Sequence, residues 1–178
     1  MAELGELTPW SHPARLSDVQ REPVQLRLDA NDVVRARVAE ALDLAAVGLL
    51  TAQVVVSPWQ DGLNVRADWR ATVPQTCGVS LEPFDTELSG EFTVKAVPAD
   101  SPMIQPEEPE AEIGLDTPDP PDVLDGDSID VAALVVEHLA LEIDPYPRTP
   151  GAVFEAPEET APESPFAALA ALKPREQG

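Results

Sequence analysis

The sequence predicts an α+β fold: an antiparallel β-meander, open to barrel-like closure, with two main helices, a long acidic disordered loop and a short C-terminal helix. The first observation is a strict alternation. Val65, Ala67, Trp69, Ala71 and Val73 alternate with Arg66, Asp68, Arg70 and Thr72. Successive strand side chains point to opposite faces, so this run has one apolar and one polar face. The second is its return. Pro74 and Cys77-Gly78 interrupt the run, and after Pro83 the residues Leu88, Gly90, Phe92, Val94 and Ala96 alternate against Ser89, Glu91, Thr93 and Lys95. Two such runs around a Gly- and Pro-containing connection read as a long hairpin with one face on a core. The third is a pair of apolar stripes at spacings of three and four, near 34–45 and 131–139, which define amphipathic helices.

Composition narrows the classes. The chain has 178 residues, enough for one domain with a core and unstructured segments besides. A net charge of −22, 20 prolines and only 4% aromatic residues imply that a sizeable fraction does not pack. The single cysteine excludes an internal disulfide and a cysteine metal cage. There is no charged-apolar-cleavage pattern at the N-terminus and no apolar run near about 20 residues, so the expectation is a soluble, cytoplasmic protein without membrane contact. The acidic balance disfavours broad contact with nucleic-acid phosphates and favours basic partners or simple solubility.

In chain order, residues 1–21 show no sustained period and read as a flexible lead, in which Trp10 and His12 are placed as covers of a sheet edge. Residues 22–97 form the strand-helix-sheet core. Val24, Leu26 and Leu28 alternate with Gln25, Arg27 and Asp29 as a short first strand. Asn31 is the N-cap of a helix, with Asp32 favoured in its first turn by the dipole. Val34, Val38, Ala41, Leu42 and Ala45 form its buried stripe, and Gly48 supplies a left-handed C-cap. Arg35 and Arg37 occupy its solvated side. Leu49 to Ser57 is a β-branched second strand, and Pro58 to Gly62 is a turn with Asp61-Gly62 its strongest part. The first helix is expected to pack on the apolar face of the meander.

Past Pro98 the character changes, since no Lys or Arg occurs between Ala96 and Pro147. Glu107, Glu108, Glu110 and Glu112 crowd a Pro-interrupted stretch, and 98–124 reads as a disordered acidic loop. Residues 125–151 complete the domain. Asp130 caps a second helix, and Ile129 staples onto Leu134. Val131, Leu134, Val135, His138, Leu139 and Glu142 lie along one side, and the helix stops before Pro145. His138 reads as a partly covered helix residue, because no second metal-type ligand follows at a suitable spacing. Residues 152–178 are an acidic tether and a short helix opened by Ser164-Pro165. Its stripe of Phe166, Leu169 and Leu172, closed by Lys173 and Pro174, is marginal alone. The helix either docks on its own domain or binds something else, and with Pro165 these residues are the best candidates for partner binding.

No phosphate loop, nucleophile elbow or helical His-Glu-x-x-His is present. Cys77 is the one starting point for enzyme chemistry, but a catalytic thiol needs a base and an electropositive setting, and both histidines are remote in sequence. Cys77 therefore reads as a buried or turn cysteine, and no catalytic, metal or cofactor site is assigned. Arg66, Arg70 and Lys95 are the one basic set that can line up on the exposed sheet face as RNA contacts.

Three segments in order resemble the YceD family of bacterial large-ribosomal-RNA accumulation proteins. Gln75-Thr76-Cys77-Gly78-Val79-Ser80-Leu81-Glu82-Pro83 is similar to that family's sheet motif. Gly126 to Val131 through Leu139-Ala140-Leu141, followed by Pro145-Tyr146-Pro147, is similar to its second motif, and Ser164 to Lys173 to its C-terminal ending. Cys77, Leu81, Glu82, Pro83, Asp130 and Pro147 carry the resemblance, which with its single cysteine is to the alphaproteobacterial variety. The resemblance implies a role in synthesis, processing or stability of the large-subunit (23S) ribosomal RNA without a known catalytic reaction. Some relatives carry a Cys-x-x-Cys pair in the sheet turn that suggests a metal; here Cys77 is alone, so that idea does not carry over. The resulting reading is a non-enzymatic adaptor for a basic ribosomal or ribosome-assembly protein, with no cofactor and no small-molecule substrate. The alternative is a direct RNA-binding module on the basic sheet face.

Overall fold

Alternation in the sequence becomes a sheet of five strands. The computed structural model describes residues 8–19, 22–104 and 120–154. In chain order these are β1 (Pro13–Arg15), a 3-10 turn (Leu16–Asp18), β2 (Val24–Asp29), α1 (Asp32–Ala41), β3 (Leu49–Trp59), β4 (Gly62–Thr76), β5 (Pro83–Val97), β6 (Asp122–Val123), β7 (Ser128–Asp130) and α2 (Val131–Glu142). The main sheet runs β2-β3-β4-β5-β6, antiparallel except for the short parallel β5–β6 pair. β2 and β6 are its two ends and do not meet, so the meander stays an open sheet and does not close into a barrel.

The inward residues of β4, from Val65 through Ala67, Trp69 and Ala71 to Val73, are all buried, as the alternation requires. Across the hairpin Val65 faces Val94, Ala67 faces Phe92 and Trp69 faces Gly90. Gly90 is there to make room: a Cβ on it would lie 3.0 Å from the Trp69 indole nitrogen. Pro74 does not break the strand but pairs with Asp85 inside β4. β3 has already ended its pairing at Thr72, so Pro74 stands where one side of β4 is free and a missing N–H costs little. Gly62 is likewise not a turn glycine. It is the buried first residue of β4, and a Cβ would fall 2.0 Å from the Ala96 carbonyl oxygen. The turn itself is Gln60-Asp61, with Gln60 at φ +54°.

α1 begins as its sequence dictates, with the Asn31 side chain accepting from the Val34 N–H. It ends earlier than expected, at Ala41, because Asp43 takes the left-handed conformation (φ +53°) well before Gly48. Ala41 and Ala45 are consequently exposed, and α1 reaches the core chiefly through Val38 and Ala39. The helix that lies against β4 and β5 is α2. It is buried along Val131, Ala132, Leu134, Val135, Val136 and Leu139, which is wider than a single stripe.

The described parts of two segments expected to be loose, 1–21 and 98–124, are built into the fold. Within 8–19, Trp10, Ala14 and Val19 are core residues, and β1 pairs antiparallel with β7. A three-residue strand carries too few residues for alternation to reveal it. Residues 98–104 form a turn around buried Ser101, whose N–H donates to the Pro98 carbonyl and whose hydroxyl accepts from the Met103 N–H. Residues 122–124 rejoin the sheet through β6, and Leu124 is buried. Positions 105–119 of the acidic stretch lie outside the described residues.

Candidate functional site

The two strands of the long hairpin end at Thr76 and Pro83, which leaves Cys77–Glu82 to turn the chain. The turn closes on itself, with the Cys77 N–H donating to the Glu82 carbonyl and the Leu81 N–H to the Cys77 carbonyl, both at 2.9 Å. After α2 the chain comes back across this tip. The Gly78 N–H donates to the Pro147 carbonyl (2.9 Å), and the Gln75 side-chain amide donates to the Asp144 carbonyl (3.1 Å). The segments around 75–83 and 144–149 therefore form one body at the tip of the hairpin.

Its centre is the Cys77 sulfur. The N–H groups of Ser80 and Thr149 each donate to Sγ at 3.4 Å. The Ser80 hydroxyl, first, and then backbone N–H groups of Ser80, Thr149 and Val79 hold the thiol well below its ordinary 9.0, at about 6, while burial pulls the other way and is outweighed. The thiol is nevertheless closed off from solvent. Its donors are amides and a hydroxyl, none of which is a base able to take and return a proton. Sequence reasoning missed this electropositive setting because backbone amides carry no sequence signature.

Two large apolar side chains are exposed at the tip. Leu81, at φ +62°, is 76% exposed, and Tyr146 is 79% exposed. A bulky residue in the left-handed region is uncommon and costs energy. Glu82 and Pro83 flank it on the way into β5 and are also exposed.

Asp130, the other motif residue, is elsewhere. It caps α2, and its Oδ1 accepts from Ala132 and Ala133 at 3.1 Å and from the His12 N–H at 2.8 Å. A helix of 12 residues separates it from the tip, a span of roughly 18 Å. His138 stacks on Phe92 with ring centroids 4.0 Å apart, and its Nδ1–H donates to the Leu134 carbonyl at 2.8 Å. It packs as a helix residue against the sheet.

Arg66, Arg70 and Lys95 do share the exposed sheet face, opposite to α2, but they do not form a basic track. Asp68 stands between the two arginines on β4, and Glu91 pairs across from Asp68. Arg27, Gln53, Asp68, Arg70, Ser89 and Glu91 line a shallow depression of about 650 Å³ with mixed charge. Lys95 lies over the Trp59 ring, 5.0 Å from its centroid. Pro165, Phe166, Leu169, Leu172 and Lys173 lie outside the described residues. Among the described residues no helix is long and apolar enough to cross a membrane.

A family model described as large ribosomal RNA subunit accumulation protein YceD matches residues 65–173. No curated protein and no solved structure matches the chain. The match begins inside β4, takes in the hairpin tip, and runs through β7, α2 and the segment that returns to Cys77. Covering well over half of the chain, and both segments that meet at the tip, it makes this protein a member of the YceD family, whose name ties it to accumulation of the large-subunit ribosomal RNA.

Proposed function

We propose that the protein supports large-subunit (23S) ribosomal RNA as a non-enzymatic adaptor, and that it holds a basic ribosomal or assembly protein through the hairpin tip. The observation that carries this reading is the tip itself. Two segments distant in sequence are locked together by hydrogen bonds, and among the side chains they expose are the large apolar Leu81 and Tyr146. A strained, exposed leucine on a rigid tip is costly to the isolated chain and useful against a partner. The thiol beneath it serves to fix the turn, through bonds from Ser80 and Thr149. Direct RNA contact through Arg66, Arg70 and Lys95 is the weaker reading, because Asp68 and Glu91 interleave with them and repel phosphates.

The test is a Leu81→Ser/Tyr146→Ser double variant expressed in place of the native chain. Ribosomal or assembly proteins that purify with the native chain are expected to be lost, and large-subunit RNA to fall, with the melting temperature within a few degrees of the parent's. A folded double variant that supports RNA accumulation normally removes the tip from the mechanism. A folded Cys77→Ala variant unable to support it would replace the adaptor reading with a thiol chemistry.

A further inference from the structure

We infer that the outer edge of β5 receives an extended segment of the partner as an added strand, and that this segment alternates basic with apolar residues. This rests on the adaptor reading and specifies how the partner is held.

β5 pairs with β4 on one side from Pro83 to Ala96. On its other side, among the described residues, only Ala96 and Val97 are paired, by β6. Among the described residues no other backbone hydrogen bond reaches that side between Pro83 and Lys95. A long edge strand offers a row of N–H and C=O groups to any chain that can run beside it. β6 cannot be extended along it. In the parallel register that sets Asp122 against Ala96, the preceding Pro121 and Pro120 would fall opposite Lys95 and Val94, and proline has no N–H to give. Among the described residues the edge from Pro83 to Lys95 is therefore unpaired, and β6 cannot lengthen to fill it.

Side chains say what fits. On the solvent face of β5, Asp85, Glu87 and Glu91 are exposed, with Lys95 the single cation. On the inner face, Phe84, Leu88 and Val94 are only half-buried, whereas Ala71 and Val65, opposite Leu88 and Val94 on β4, are fully buried. A strand laid beside β5 would set alternate side chains against these two rows. Basic residues would meet the acids, and apolar residues would extend the cover over Phe84, Leu88 and Val94. A second copy of this chain is disfavoured, because it would bring the same acidic row against itself on a protein of net charge −22.

The experiment is backbone amide exchange by NMR on the full chain, with a synthetic peptide alternating Lys with Val over about ten residues, the upper range of natural strands. In the free protein, every second amide between Phe84 and Lys95 should exchange fast, and the peptide should slow that set. A peptide with Glu in place of Lys should not bind. A Lys-Val peptide N-methylated at every backbone nitrogen, which keeps the charge and has no N–H to give, should leave β5 exchange unchanged. The Asp85→Asn/Glu87→Gln/Glu91→Gln variant should bind the Lys-Val peptide about tenfold more weakly at low salt. Three results overturn the inference: β5 amides already slow throughout in the free full chain, no effect of the Lys-Val peptide on them, or equal binding of the N-methylated peptide. None of these touches the adaptor reading, which stands or falls with the Leu81/Tyr146 variant.

Discussion

A thiol that accepts from two backbone N–H groups titrates differently from one packed in hydrocarbon. Cys77 is held at about 6 by its donors, against 9.0 for a free thiol. Between those values the unfolded chain binds a proton that the folded one has released, so stability rises with pH across that window. The contribution is complete above 9.0 and gone once pH falls below about 6. Two measurements check this. Ultraviolet thiolate absorbance of the folded protein should rise with a midpoint near 6, and the stability difference between the native chain and Cys77→Ser should widen from pH 6 to pH 9. A difference that stays flat over that range would mean the amides do not engage the sulfur. Residue by residue, the sequence was most informative where periodicity decides. Val65, Ala67 and Trp69 are buried because alternation puts them there. It was silent where the backbone decides: nothing in Ser80 or Thr149 announces an N–H aimed at sulfur. Gly62 and Asp61-Gly62 show the same limit, since a turn dipeptide there stands for a close backbone approach.

Elements were legible at their starts more than at their ends. Asn31 and Asp130 both cap as expected, because a short polar side chain before an apolar stripe has a local job. The end of α1 was missed because Asp43 reaches the left-handed region that Gly48 was expected to supply. Asp130 does more than cap, since one carboxylate oxygen holds the first turn of α2 and the N–H of His12 together. Asp130→Ala should therefore cost more than an ordinary cap, about 1–2 kcal/mol for the cap alone. Chemical denaturation would give the loss, and amide exchange would show Ala14 and Arg15 losing protection first. Asp130→Asn, which keeps an acceptor oxygen, should recover most of both. An Asp130→Ala protein with an undisturbed β1 would show that strand pairing, not the carboxylate, holds the N-terminal segment.

At the scale of the whole molecule, the meander was readable because its strands follow one another in sequence, and neighbours in sequence tend to pair. The tip was half readable. Its strands and its motif residues stood out, but that Pro147 and Thr149 return to Cys77 is a long-range fact with no local cause. The pairing of β1 with β7 is longer-range still, joining Pro13 to Asp130. On a ribosome this pairing has an awkward schedule. β1 leaves the exit channel first and must wait for nearly the whole remaining domain to be synthesised before its partner emerges. β3, β4 and β5 meanwhile pair with immediate neighbours and need no such delay. The expected order is hairpin early and N-terminal clasp last. Trp10, Ala14 and Val19 would remain uncovered in the interval, a window in which a chaperone could hold the nascent chain. Pulse-labelled amide exchange during refolding should find β4 and β5 protected before Ala14 and Ile129. Simultaneous protection of all four would mean that the clasp closes with the sheet and that the nascent chain never passes through an open-ended stage.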